Sequence, residues 1–337
     1  MNAGIQDIFY HLPERAVDNQ ALQQENPSWD MSRLEKRIGV KKRYIAQEME
    51  TALDLATQAC NKLLTQHPQL YKRIDGIIFC TQSGDYIMPP NACILHNRLN
   101  LPDHVFAFDF NLACSGYIYG LFLARGLIRS GSAENILLIN ADTYSKYIHP
   151  QDRSARMLFG DGAAVSWITV SKASMGNIRD ILCYTSGAQH DKFIIPAGGC
   201  RLPKNKVTAA PITDKSGNVR TLENIHMDGL EIVSFVNSKV PAQIQEILAR
   251  NDLGVAQIDL FIFHQASRLV LDYLKEALNI PKEKMHENLE EIGNTVSASI
   301  PIALKEAFRQ GKIRKGEKVL ISGFGVGLSW ATAILEF

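Results

Sequence analysis

The chain of 337 residues is 46% hydrophobic and 21% charged with a formal net charge of +1, which gives ample core for one large domain or two fused ones. A balance this even argues against nucleic acid or a membrane as the main partner, and with no leader-like start or stretch of transmembrane length a cytoplasmic protein is expected. The cysteines (Cys60, Cys80, Cys93, Cys114, Cys183, Cys200) are scattered without C-x-x-C pairs, so neither a disulfide framework nor a metal site is indicated.

In chain order, Ile74-Asp75-Gly76-Ile77-Ile78-Phe79-Cys80 reads as a buried strand leading through Thr81-Gln82-Ser83 into a helical stretch. Asp109-Phe110-Asn111-Leu112-Ala113-Cys114-Ser115-Gly116-Tyr117 then sets Cys114 where an apolar run meets a small-residue turn and a new helix begins. Unpaired N–H groups at a helix N-terminus favour a thiolate and can hold a developing oxyanion, so this turn suits a nucleophile. The competing reading is a buried cysteine acting as a small hydrophobe, which residue type alone favours. A helix from Leu121, Gly131 and the strand Ile136-Leu137-Leu138-Ile139 follow, and Asp161-Gly162-Ala163-Ala164-Val165 reads as a tight turn into a small-residue strand. The segment from Ala197 to Glu223 is poor in periodic hydrophobics and is expected to be a surface excursion, an active-site cover or disordered.

The second half repeats the first. Ile258-Asp259-Leu260-Phe261-Ile262-Phe263-His264-Gln265-Ala266-Ser267 resembles the run from Ile74 to Ser83, and Pro301 to Ile321 parallels Leu121 to Ile139, with Gly311 and Val319-Leu320-Ile321 in the matching places. In that register Cys114 falls opposite Asn294 and Cys80 opposite His264. The pattern predicts an α/β fold of two related halves, 1–170 and 171–337, with mostly parallel sheets, helices on their faces and ligands gathered at the converging strand C-termini. Taken singly, His264 reads as a satisfied structural histidine and Asn294 as a helix N-cap. Together with Cys114 they form a workable thioester site. The thiolate attacks, and the two polar side chains either donate to an enolate oxygen or act as base and orienter for hydrolysis.

Ala113-Cys114-Ser115-Gly116, Phe159-Gly160-Asp161-Gly162-Ala163-Ala164, His264-Gln265-Ala266, Gly293-Asn294-Thr295 and Gly323-Phe324-Gly325-Val326-Gly327-Leu328-Ser329-Trp330 together resemble the β-ketoacyl-acyl-carrier-protein synthase III family of the thiolase superfamily. Gly39-Val40-Lys41-Lys42-Arg43-Tyr44-Ile45 and Met227-Asp228-Gly229 extend the resemblance along the chain. It implies a thiolase-like fold of two pseudo-duplicated halves in a five-layered αβαβα arrangement, a homodimer, no cofactor and no metal. The implied reaction moves an acyl group from coenzyme A to Cys114, then condenses it with malonyl-acyl-carrier-protein, releasing carbon dioxide. It serves fatty acid initiation or a specialised acyl-chain pathway; a non-decarboxylating acyltransferase or thioester hydrolase on the same fold is the alternative.

In that reaction a neutral His264 (through Nε2–H) and the Asn294 amide hold the enolate oxygen, while the backbone N–H groups of Cys114 and Val326 hold the acyl-transfer oxyanion. Ser267 stands where the family has asparagine, and the β-branched Val326 restricts a turn where many members have glycine. The resemblance further implies that Trp29 and Arg37 flank the nucleotide of coenzyme A, with Trp29 one helical turn earlier than the family pattern and packing as its alternative role. Arg268 and Lys275 are candidates to meet the acidic carrier protein. Met88, in place of the usual phenylalanine, is expected to reach the partner's acyl pocket and to admit primers larger than acetyl.

Overall fold

The computed structural model describes residues 2–170 and 173–337. Its strands β1 (Ala3–His11), β2 (Gly76–Cys80), β3 (Phe106–Phe110), β4 (Asn135–Asp142), β5 (Gly162–Val170), β6 (Asn177–Thr185), β7 (Leu260–Phe263), β8 (Lys318–Gly325) and β9 (Ser329–Glu336) form one nine-stranded sheet. The lateral order is β7-β8-β9-β6-β1-β5-β4-β2-β3.

From its middle outward the sheet has two wings with the same plan. In one, β1 pairs antiparallel with β5 and β5 with β4, and β2 lies parallel to both β4 and β3. In the other, β6 pairs antiparallel with β9 and β9 with β8, β7 lies parallel to β8, and Met285 bridges parallel to Phe261 where β3 would lie. The wings meet at Gly4 opposite Asn177, where a Cβ on Gly4 would come within 2.6 Å of Ala173 Cβ. Glycine permits that approach. The expected boundary at 170/171 abuts Ser171 and Lys172, which lie outside the described residues.

Alternation along the strands sorts the core into layers. Ile78 and Leu138 of one wing and Ile262, Val319 and Ile321 of the other bury against Leu121 of α3 (Gly116–Arg129) and Leu304 of α6 (Ser299–Arg309) in one cluster. These two helices are therefore sandwiched between the wings. Ile77 and Phe79 point the other way, onto α1 (Ala52–Gln66) and α2 (Asn91–Arg98), and α1 opens on a Thr51–Asp54 capping box. Phe261 and Phe263 pack outward on α4 (Gly229–Arg250) and α5 (Arg268–Ala277). Helix, sheet, helix, sheet, helix is the thiolase-like five-layer order.

The excursion beyond Ala197 is ordered. It carries a small hairpin, Ile212–Thr213 against Val219–Arg220, clasped where Arg220 meets Asp152 at 2.6 Å and Asp214 at 3.2 Å. A distant ion pair supplies the order that the local sequence, lacking periodic hydrophobics, does not advertise.

Candidate active site

Strand β3 ends at Phe110 and helix α3 begins at Gly116, so Cys114 sits in the tight connection, 3% exposed. Glycines hold it there. A Cβ at Gly116 would come within 2.2 Å of Cys80 Sγ, one at Gly323 within 2.5 Å of the Cys114 carbonyl oxygen, and one at Gly325 within 3.3 Å of Cys114 Sγ. The glycines of β8 thus let the Cys114 loop of one wing lie directly on a strand of the other, and Ser115 Oγ is tied to Ser329 Oγ at 2.7 Å.

His264 follows β7, its N–H donating to the Ser322 carbonyl at 2.8 Å. Its ring has Nδ1 at 2.6 Å from Ser299 Oγ, Nε2 at 3.3 Å from Asn294 Nδ2, and the Phe324 ring edge-on with centroids 5.7 Å apart. Burial pulls its pKa down to about 3, so the imidazole is neutral at any working pH. Asn294 Oδ1 accepts the Val296 N–H at 2.9 Å, which turns the NH₂ end of the amide toward His264. The Asn294 backbone is pinned to the first half, its N–H donating to Leu158 O at 3.0 Å and its carbonyl accepting from Gly160 N–H at 2.9 Å.

Ser299 Oγ–H donating to Nδ1 leaves the ring proton on Nε2, and Nδ1–H donating to Ser299 Oγ leaves Nε2 bare; the 2.6 Å contact serves either tautomer. His264 Nε2 and Asn294 Nδ2 lie 3.3 Å apart, close enough for one oxygen to sit at ordinary hydrogen-bond distance from both.

Cys114 differs from the expectation of a helix-stabilised thiolate. Burial, and after it the nearby Asp142 carboxylate, push the thiol above its ordinary pKa, so it rests protonated. Asp142, the last residue of β4, is itself fully buried and raised to about 7, mainly by burial, although it accepts Gln82 N–H at 2.8 Å and Ser297 Oγ–H at 2.5 Å. Asp142, Ser297 and Ser299 were missed from sequence. The signal available was the polar break Asn140-Ala141-Asp142 at the end of a buried strand and the serines that follow Asn294.

Cys114, His264, Asn294, Phe324 and Gly325 line one cavity of about 790 Å³, and Arg37 lines it as well. The other candidates lie elsewhere. Trp29, 8% exposed, packs with Leu22, Met31 and Met157 in a satellite core and does not line the cavity, in keeping with its alternative role as packing. Arg268 pairs with Glu290 at 3.5 Å and covers Gly39, next to the cavity-lining Ser267 and Leu269. Met88 is 79% exposed beside Tyr86 and Ile87, outside that cavity. Val326 follows Gly325, and its carbonyl accepts Ser329 Oγ–H at 2.7 Å. Ser267, in place of the family's asparagine, caps α5 by accepting the Val270 N–H. Among the described residues, no group of three or more His, Cys, Asp or Glu is placed to hold a metal ion.

The family model for 3-oxoacyl-[acyl-carrier-protein] synthase III matches residues 108–187, and that for its C-terminal region matches residues 248–337. A β-ketoacyl-[acyl-carrier-protein] synthase III from Clostridium perfringens is 37% identical over 99% of both chains. A crystal structure of a 3-oxoacyl-(acyl-carrier-protein) synthase III superposes with a TM-score of 0.96 at 41% identity over 100% of both chains. The corresponding synthase from Burkholderia xenovorans LB400 superposes with a TM-score of 0.90 at 32% identity, covering 99% of this chain and 94% of that one.

Proposed function

The chain belongs to the 3-oxoacyl-[acyl-carrier-protein] synthase III family of the thiolase superfamily and is a synthase III-like condensing enzyme of fatty acid biosynthesis, and from that premise we propose the residue roles. Cys114 is the acyl carrier. Its sulfur bonds to the primer carbonyl, the bond to coenzyme A breaks, and the thiol proton leaves on the coenzyme A sulfur, so a protonated resting thiol is the balanced starting state. The backbone N–H groups of Cys114 and Val326 support the tetrahedral oxyanion.

The malonyl thioester on the acyl carrier protein then loses carbon dioxide, and its electron pair spreads onto the thioester oxygen held between His264 Nε2 and Asn294 Nδ2. The α-carbon attacks the acyl-cysteine, and the released sulfur takes a proton from solvent. The 3.3 Å approach of His264 Nε2 to Asn294 Nδ2 is the observation that carries this reading. Phe324 beside His264 assists, because an apolar wall favours converting a carboxylate into a neutral gas. An imidazole held at about pH 3 is too weak a base for thioester hydrolysis, which disfavours that alternative.

The halves 1–170 and 171–337 supply nucleophile and donors respectively. Arg37 holds a phosphate of coenzyme A, and Arg268 with Lys275 meets the acidic carrier protein at the cavity mouth. A homodimer is supported by the exposed apolar run Tyr86, Ile87 and Met88, 65%, 97% and 79% accessible, which a partner subunit would cover. Among the described residues no helix is long and apolar enough to cross a membrane, and we place the enzyme in the cytoplasm.

The test is intact mass and gas release together. Incubation with a panel of acyl-coenzyme A thioesters is expected to add one acyl mass at Cys114, and malonyl-acyl-carrier-protein then to release carbon dioxide with β-ketoacyl product. Labelling without carbon dioxide would make the chain a simple acyltransferase.

A further inference from the structure

Asp142 is fully buried at the end of β4, and the reaction steps above give it no part. Its Oδ1 accepts the Gln82 N–H at 2.8 Å, and its Oδ2 accepts Ser297 Oγ–H at 2.5 Å and Ser297 N–H at 3.3 Å. All three donors are neutral, so an acid is a costly residue for a place that needs only filling. Both segments that it joins belong to the site. The Gln82 side-chain amide donates to Asn111 Oδ1 at 2.8 Å, in the connection that carries Cys114. Ser297 lies between Asn294 and Ser299, the residue whose Oγ meets His264 Nδ1 at 2.6 Å.

The turn between them is strained. Val296 has φ +54°, a left-handed conformation that a β-branched residue rarely adopts and that persists only where the surroundings over-determine it. Two fastenings bracket it. Asn294 Oδ1 accepts the Val296 N–H at 2.9 Å, and Asp142 takes both donors of the next residue, Ser297. The first fastening is also what turns the Asn294 NH₂ toward His264, so the strain at Val296 and the aim of that amide are one feature. If Ser297 were released, Val296 could relax to a negative φ, its N–H would leave Oδ1, and the amide would be free to turn.

We propose that Asp142 is a positioning residue for the donor pair: through Ser297 it holds the Val296 turn in its left-handed form, and with it the Asn294 amide 3.3 Å from His264 Nε2. This rests on the enolate role assigned above to that pair. Asp142 thus serves decarboxylation and not acyl transfer. Its charge disfavours a Cys114 thiolate, so losing it does not hinder the nucleophile.

The test follows both half-reactions in the whole protein, acyl labelling of Cys114 by intact mass and carbon dioxide release from malonyl-acyl-carrier-protein. In Asp142→Asn and in Ser297→Ala, kcat for decarboxylation is expected to fall about 10–10²-fold. KM for the malonyl substrate should stay within about threefold, and labelling should not slow. Adding Val296→Gly to either variant should recover most of the lost decarboxylation, because glycine adopts a positive φ without strain. A merely structural loss would deepen instead, since glycine strips buried contacts from that position. Should Asp142→Asn fail to fold by circular dichroism, Ser297→Ala with and without Val296→Gly carries the same test. Equal losses in labelling and decarboxylation, full decarboxylation in the single variants, or no recovery with glycine would each overturn the inference alone. A wild type that labels Cys114 yet releases no carbon dioxide would instead overturn the donor roles, and this inference with them.

Discussion

The two wings of the sheet offer the same backbone frame to different chemistry. At the end of β2 stands Cys80, whose thiol donates to Leu112 O and is closed off by Gly116; at the matching end of β7 the chain runs into His264, which faces the cavity. Before α3 stands Cys114, and before α6 stands Asn294, the latter followed by an extra turn over Val296–Ala298. The shared plan of the wings thus presents two equivalent rims. In the proposed roles one is the nucleophile rim and the other the donor rim, and the glycines of β8 let the Cys114 loop lie against the second wing. A buried carboxylate, Asp142, accompanies the first rim and a buried imidazole the second, so the two sides also respond oppositely to pH.

The division of labour is broken most completely by Cys114→Ala, which should abolish acyl labelling and lower condensation on the order of 10³-fold or more, read by intact mass and product formation. Asn294→Ala attacks the other rim alone. Malonyl decarboxylation should fall about 10²–10³-fold while acyl labelling of Cys114 persists; full decarboxylation would show the enolate role to be wrong. Gly325→Ala tests the contact between rims, since its methyl would lie 3.3 Å from Cys114 Sγ. A displaced nucleophile should cost about 10²-fold in the acylation rate, with the fold retained by circular dichroism.

The pH contrast is finer. Asp142 binds a proton in the folded state up to about pH 7, while its unfolded counterpart releases it near the ordinary value of 3.8, so its contribution makes stability fall as pH rises between them. His264 stays neutral down to about pH 3 when folded but takes a proton below 6.5 when unfolded, so its contribution makes stability rise with pH across that window. In thermal unfolding series, the melting temperature of Asp142→Asn relative to the wild type should therefore climb from pH 5 to 8. That of His264→Gln relative to the wild type should drop from pH 4 to 6.5; a flat difference in either would refute the corresponding burial argument. The smallest effect is expected from Met88→Phe, a few-fold shift toward shorter primers in competitive acyl-loading. An unchanged profile would mean that this exposed loop does not reach an acyl pocket.

Much of this was legible in the chain itself. Apolar runs such as Gly76–Cys80 and Leu260–Phe263 are buried strands because residues covered on both faces must be apolar throughout, and the repeat between them was readable for the same reason. His264 and Cys114 stood out because each follows such a run, and Asn294 because the repeat register sets it opposite Cys114.

Tertiary structure alone decided what those residues are. Burial by segments far away in sequence holds His264 neutral and keeps the Cys114 thiol protonated, where a helix N-terminus by itself had pointed to a thiolate. Contacts with Leu22, Met31 and Met157 turn Trp29 into packing. Periodicity and residue type are local properties that the sequence carries directly. Proton affinity and orientation are set by dielectric and by partners that only the closed chain brings within a few ångströms.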